Sequence, residues 1–176
     1  MFGAESLRNI LEALQPWWTA TFVLAYLIGF AMVGAGVLGL MRQRYGDTGV
    51  GGAIAALIFG SILASLPAWL DALSMSFLGG NSMASLSSAD VSASDADETT
   101  LVLLTSYAVV QLVGLFGVIK GLILFRQSAD TRDRLGPAFV HTIGGAFAIN
   151  LVTILDAAAR TVGGSAGEAI RQLLPG

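Results

Sequence analysis

The sequence predicts an all-α membrane protein: four transmembrane helices, arranged as two helical hairpins, with amphipathic N- and C-terminal segments. Three observations carry this. Of 176 residues, 55% are apolar and only 12% charged, against roughly 25% charged in a typical soluble domain. Mean hydropathy is +0.75. Four stretches reach the roughly 20 mostly apolar residues that a helix needs to cross a bilayer core.

In chain order, residues before Pro16 place Phe2, Leu7, Ile10, Leu11 and Leu14 at helical spacing with Glu5, Arg8 and Glu12 between them. That pattern predicts an amphipathic helix lying in the membrane interface or on a partner protein. The first span, about 17–41, has no charged residue, and Trp17 and Trp18 at its start fit an interfacial aromatic anchor. Its apolar run exceeds the roughly 7–15 residues of a signal-peptide core, so it is expected to be retained. The second span, about 50–70, is also uncharged. The segment 71–100 is Ser- and Asp-rich around LSSADVSASDADETT, with a turn signal at Gly79-Gly80-Asn81. It reads as a solvated polar loop, with an apolar patch at Leu73 to Leu78 on the membrane surface. Asp90, Asp95, Asp97 and Glu98 lack the spacing of a calcium-binding loop. The third span, about 101–125, holds one charge, Lys120. The fourth, about 138–159, contains His141, Asn150 and Asp156, and the tail repeats the amphipathic pattern with Ala166, Ile170, Leu173 and Leu174. All 176 residues read as a single membrane domain.

Basic residues in short loops tend to remain cytoplasmic. Arg42 and Arg44 follow the first span, and Arg126, Arg132 and Arg134 follow the third, with Lys120 just inside the helix. The opposite side carries Arg8, Arg160 and Arg171 against nine acids. Both termini and the acidic loop are therefore expected outside the cytoplasm.

Chemistry is scarce. The chain has no cysteine and one histidine, which leaves no thiolate ligand, no Cys nucleophile and no multi-His metal site within one chain. No phosphate-binding loop, G-x-S-x-G, H-E-x-x-H or dinucleotide fingerprint is present. The net charge of −3 provides no basic field for nucleic acid. Neither catalysis, a cofactor nor a metal is expected.

Small residues are the clearest signal. Gly52, Ala56, Gly60 and Ala64 recur at four-residue spacing in the second span, and Ala25, Gly29, Gly36 and Gly39 lie close to one face of the first. Gly117 and Gly121, with Gly114 beside them, mark the third span, and Gly144 and Gly145 the fourth. Such faces let helix backbones approach closely in lipid, within one chain or between subunits. Leu57 is expected to project away from the small-residue row.

Polar residues at membrane depth are functional candidates. Gln111 and Asn150 share one depth and could hydrogen-bond across the third and fourth helices. Lys120 and His141 share another. The two polar residues of each helix are nine apart, about 180° around its axis, so only one pair can face inward. Lys120 can snorkel to the cytoplasmic interface.

A faint internal echo links Gly51-Gly-Ala-Ile-Ala-Ala to Gly144-Gly-Ala-Phe-Ala-Ile, and Met41-Arg42-Gln43 to Phe125-Arg126-Gln127. Two tandem hairpins running in the same direction would produce it, as would chance in a chain so rich in Gly and Ala.

The segment GVIKGLILFRQSADTRDRLGPAFVHTIGGAFAIN, from Gly117 to Asn150, places Lys120-Gly121 late in a glycine-spaced helix. A short polar loop follows, then His141, Gly144-Gly145 and Asn150. In these features the chain resembles the small inner-membrane proteins of type IVB secretion and conjugation machines, the group containing IcmC/DotE and the conjugal transfer protein TraQ. The resemblance implies a structural part of a bacterial inner-membrane transport apparatus, with no catalytic residues to carry over. The expected partners are the lipid bilayer and other envelope proteins, the chain being an oligomer subunit. The alternatives are a small channel or transporter, or a pilin-like filament subunit.

Overall fold

The computed structural model describes residues 3–43, 50–78, 98–129, 134–172 and 174. Among them every regular element is a helix: α1 Ala4–Gln43, α2 Val50–Ala64, α3 Leu66–Leu78, α4 Glu98–Ser128, α5 Leu135–Ile149, α6 Leu151–Val162 and α7 Gly164–Gln172. The turn at Gly79-Gly80-Asn81, Asp90, Asp95 and Asp97 of the acidic segment, Arg44, Arg132, Phe2 and Leu173 lie outside the described residues.

Among the described residues two helices, α1 and α4, are long and apolar enough to cross a membrane alone. Two further crossings are available only as bent pairs, α2 with α3 and α5 with α6, so the fold holds two to four candidate spans.

Four expectations need correction. First, α1 runs unbroken through Pro16, so the N-terminal amphipathic segment is the first part of a 40-residue helix, not a separate element. A proline removes one backbone donor, and Pro16 is exposed, where the carbonyl left over can meet solvent or headgroups. Second, the stretch 50–70 is not one helix. It bends by 83° at Ser65, and α3 occupies residues 71–78 of the expected loop. Pro67 suits the break, since it offers no N–H to the carbonyl four residues back and sits in the first turn of α3, where none is needed. Third, the stretch 138–159 bends by 73° at Asn150. The Asn150 side chain donates from Nδ2 to the Ala146 carbonyl at 2.9 Å, sharing that acceptor with its own backbone N–H at 3.2 Å. Ser65 does the same at the first bend, donating from Oγ to the Ser61 carbonyl at 2.8 Å. Fourth, α7 is the helix expected of the tail, with Ile170 half-buried, but its buried position is Gly167, against the backbone of Ala159, whereas Ala166 is exposed. The chain reverses into α7 through Gly163 (φ 62°) and Gly164 (φ 58°), a conformation that side chains with a Cβ seldom adopt.

The fold is a tandem repeat with a constant shift of 85 residues, as from Gly29 to Gly114 and from Gly60 to Gly145. Helices α2 and α5 coincide end to end under this shift, the bend at Ser65 falls on that at Asn150, and α3 falls on α6. The sequence follows: Leu66-Pro-Ala-Trp-Leu-Asp-Ala is matched by Leu151-Val-Thr-Ile-Leu-Asp-Ala. The echo visible in the sequence therefore has another register. Gly51 corresponds to Gly136 instead of Gly144, and Met41-Arg42-Gln43 is displaced by one residue.

In each repeat the two long helices are antiparallel. Gly29 meets Gly60 while Gly36 meets Ala53, and Gly114 meets Gly145 while Gly121 meets Ala138. The repeats join when α4 packs on both α1 and α2. A shared core results, built from Ala25, Met32, Leu63, Leu66 and Leu70 with Leu115, Val118, Ile119, Leu122 and Ile149.

Candidate functional site

Two glycine seams and a buried polar node are the most constrained parts of the molecule. In the first seam, a methyl group on Gly29 would lie 2.6 Å from the Gly60 carbonyl oxygen and 2.5 Å from the Ala64 amide nitrogen. A methyl on Gly60 would lie 2.9 Å from both the Gly29 oxygen and the Val33 nitrogen. At Gly36 it would meet Leu57 Cγ at 2.8 Å and the Ala53 oxygen at 2.9 Å. The obstacles are largely backbone atoms, which cannot turn aside as a side chain can.

The second seam repeats this contact for contact. A methyl on Gly145 would lie 2.5 Å from the Gly114 oxygen and 2.7 Å from the Val118 nitrogen. At Gly121 it would collide with Thr142 Oγ1 and lie 3.0 Å from the Ala138 oxygen. Gly117 is looser, 3.3 Å from the His141 oxygen.

The small-residue row of α2 differs in detail from its sequence pattern. The buried positions are Ala53, Ala56, Gly60 and Leu63, while Gly52 and Ala64 at the ends of the row are half-buried. A four-residue step advances 40° beyond a full turn, so the row drifts off the buried face toward both ends. Leu57 does not project away; it packs into the space left by Gly36. Gly144 also departs from expectation, being exposed with nothing within 4 Å of its Cβ position. Of the Gly144-Gly145 pair, only Gly145 enters the seam.

The polar pairs resolve by side. Gln111 and Asn150 are buried, 6% and 8% exposed, whereas Lys120 is exposed and His141 half-buried. The inner pair does not bond to itself. Gln111 donates from Nε2 to the Ile149 carbonyl at 3.1 Å, one residue short of Asn150. Asn150 Oδ1 accepts from Ser74 Oγ at 2.7 Å, tying the second bend to α3 of the first repeat. His141 Nδ1 lies 2.8 Å from the Pro137 carbonyl on its own helix. Buried polar groups in an apolar surround are costly unless bonded, and these bonds answer that requirement for Gln111, Ser74 and Asn150 at the second bend.

Ser74 and the cleft above the node escaped sequence reasoning. A cleft of about 520 Å³ opens between α3, α5 and α6, with walls from Trp69, Leu73, Ile143, Phe147 and Ile154 and with Ser74, Thr142 and Asn150 as its polar lining. Nothing in the sequence brings Ser74 to Asn150, 76 positions away; only the bend at Pro67 does. Among the described residues, no group of three or more His, Cys, Asp or Glu side chains could hold a metal ion. Comparison of the chain with known protein families, with curated proteins and with solved structures gives no match.

Proposed function

We propose that this chain is a non-catalytic structural subunit of a bacterial inner-membrane assembly, of the type IVB secretion or conjugative transfer kind, working by helix–helix packing. In this reading each bent pair counts as one crossing, giving four spans with both termini periplasmic. The 15 residues of α2 or of α5 rise about 22 Å, less than the roughly 30 Å hydrocarbon core. The bends then lay α3 and α6 near the outer interface.

One observation carries the proposal: the helices spend their surface on packing and not on chemistry. Backbone-to-backbone seams fill the interior of each hairpin, and the buried Gln111, Ser74 and Asn150 side chains are taken up in hydrogen bonds at the second bend. A small channel or transporter would draw on Gln111, Lys120, His141 and Asn150, and these divide between inward and outward faces without forming a shared path. Affinity purification of the tagged chain from a native membrane, followed by flux measurement in liposomes, tests the reading. Co-purification of further envelope proteins without flux is the expected result. Flux that is lost on replacing Gln111 and Asn150 would overturn it.

A further inference from the structure

Each repeat has the same hairpin, so a difference in burial between equivalent residues reports what the other repeat covers. On α4, Leu115, Ile119 and Leu122 are buried, while their equivalents on α1, Phe30, Gly34 and Val37, are exposed; Phe30 is 67% exposed. On α2, Ala55, Phe59 and Ile62 are half-buried, while Val140, Gly144 and Phe147 on α5 are exposed, Val140 to 70%. The covered stripes are the two sides of the joint between the repeats, where Phe59 stacks on Phe125 with ring centroids 5.2 Å apart.

This joint is not two-fold. Helix α4 packs on α1 and α2, but α5 makes no comparable packing with α1. The contact is head-to-tail, and a head-to-tail contact leaves one unsatisfied copy of each side. The first repeat presents the α1 side open, and the second presents the α2-equivalent side open. Both are apolar, and each is a copy of a surface that already packs against the other kind.

We propose that a second copy of this chain continues the joint, seating its α1 stripe (Phe30, Gly34, Val37) on the α5 stripe (Val140, Gly144, Phe147) of the first. The chain is thereby one two-repeat segment of a head-to-tail row, which closes into a ring or stays open according to the rotation per repeat. The joint does not depend on which machine the chain serves. Absence of envelope partners in a purification would leave it standing, and a failed cross-link would not touch the structural-subunit reading.

The register is set by the internal stack: Phe125 corresponds to Leu40 and Phe59 to Gly144. The chain has no native cysteine, so Leu40→Cys and Gly144→Cys can be cross-linked in membranes with a short bis-maleimide and resolved on a denaturing gel. The double variant should cross-link from dimer upward, to the size of the ring if the row closes and to a longer ladder if it stays open. The two single variants co-expressed should stop at dimer, and either alone should stay monomeric. Gly34→Trp, at an open position, should abolish the ladder at unchanged protein level, whereas Phe116→Trp, exposed but off the stripe, should leave it intact. A double variant that remains monomeric, or 40-to-40 and 144-to-144 dimers as abundant as the mixed one, would overturn the proposal and leave lipid as the cover of these faces.

Discussion

Replacing Gly60 with Ala adds one methyl group where the structure has no room for it. That methyl would lie 2.9 Å from the Gly29 oxygen and the Val33 nitrogen and 3.0 Å from Met32 Cβ, whereas ordinary contact begins near 3.4 Å. The α1–α2 seam must therefore open by about 0.5 Å, and a gap of that size forfeits a quarter or more of the dispersion well for atoms on both sides. Overpacking of this kind typically costs about 1–3 kcal/mol. Ala is a better helix former than Gly by about 0.5–1 kcal/mol, which offsets part of the loss. Gly144→Ala isolates that offset, because its Cβ position has nothing within 4 Å. Measured as reversible unfolding of the monomer in mixed micelles, Gly60→Ala should be less stable than Gly144→Ala by about 1–3 kcal/mol, the propensity term cancelling. Gly145→Ala, 2.5 Å from the Gly114 oxygen, should behave like Gly60→Ala. Gly60→Leu should lose far more than Leu57→Ile. If Gly60→Ala and Gly144→Ala agree to within about 0.5 kcal/mol, the seams are a consequence of composition and the packing argument fails.

The polar node makes a second test. A double-mutant cycle on Ser74→Ala and Asn150→Ala should show a coupling of about 0.6 kcal/mol and no more than about 1.7, the average and the maximum for hydrogen bonds between membrane helices; a zero coupling would mean the bond contributes nothing. Gln111→Leu should destabilise by about 1 kcal/mol through the lost bond to Ile149, while Lys120→Gln, on an exposed face, should leave unfolding unchanged. For topology, Ala129→Cys and Ser165→Cys, both exposed, should react with an impermeant maleimide from opposite sides of the membrane. Labelling of both from one side would exclude the four-span arrangement.

The sequence by itself determined that the chain is built of apolar helices, and it marked where they pack. Helix class follows from local terms that any window of the chain contains: apolar length, absence of charge, and small residues recurring near the helical period. For the same reason Gly29, Gly36, Gly60, Gly121 and Gly145 could be singled out without coordinates. Tertiary structure decided the rest. Pro67 and Asn150 are ordinary residues in an apolar run until the surrounding helices accept a bend, so 50–70 and 138–159 read as straight spans. Whether Gln111 and Asn150 or Lys120 and His141 would face inward could not be chosen from spacing, since each pair is equally consistent with a helix of 3.6 residues per turn. Partner choice is non-local: Gln111 takes a backbone carbonyl and Asn150 takes Ser74 because those groups are nearest once the hairpins dock. The repeat was faintly visible in the sequence but out of register, because Gly and Ala match by chance at many offsets. Backbone contact fixes the shift at 85, since only that shift carries Gly29 against Gly60 onto Gly114 against Gly145 and one bend onto the other.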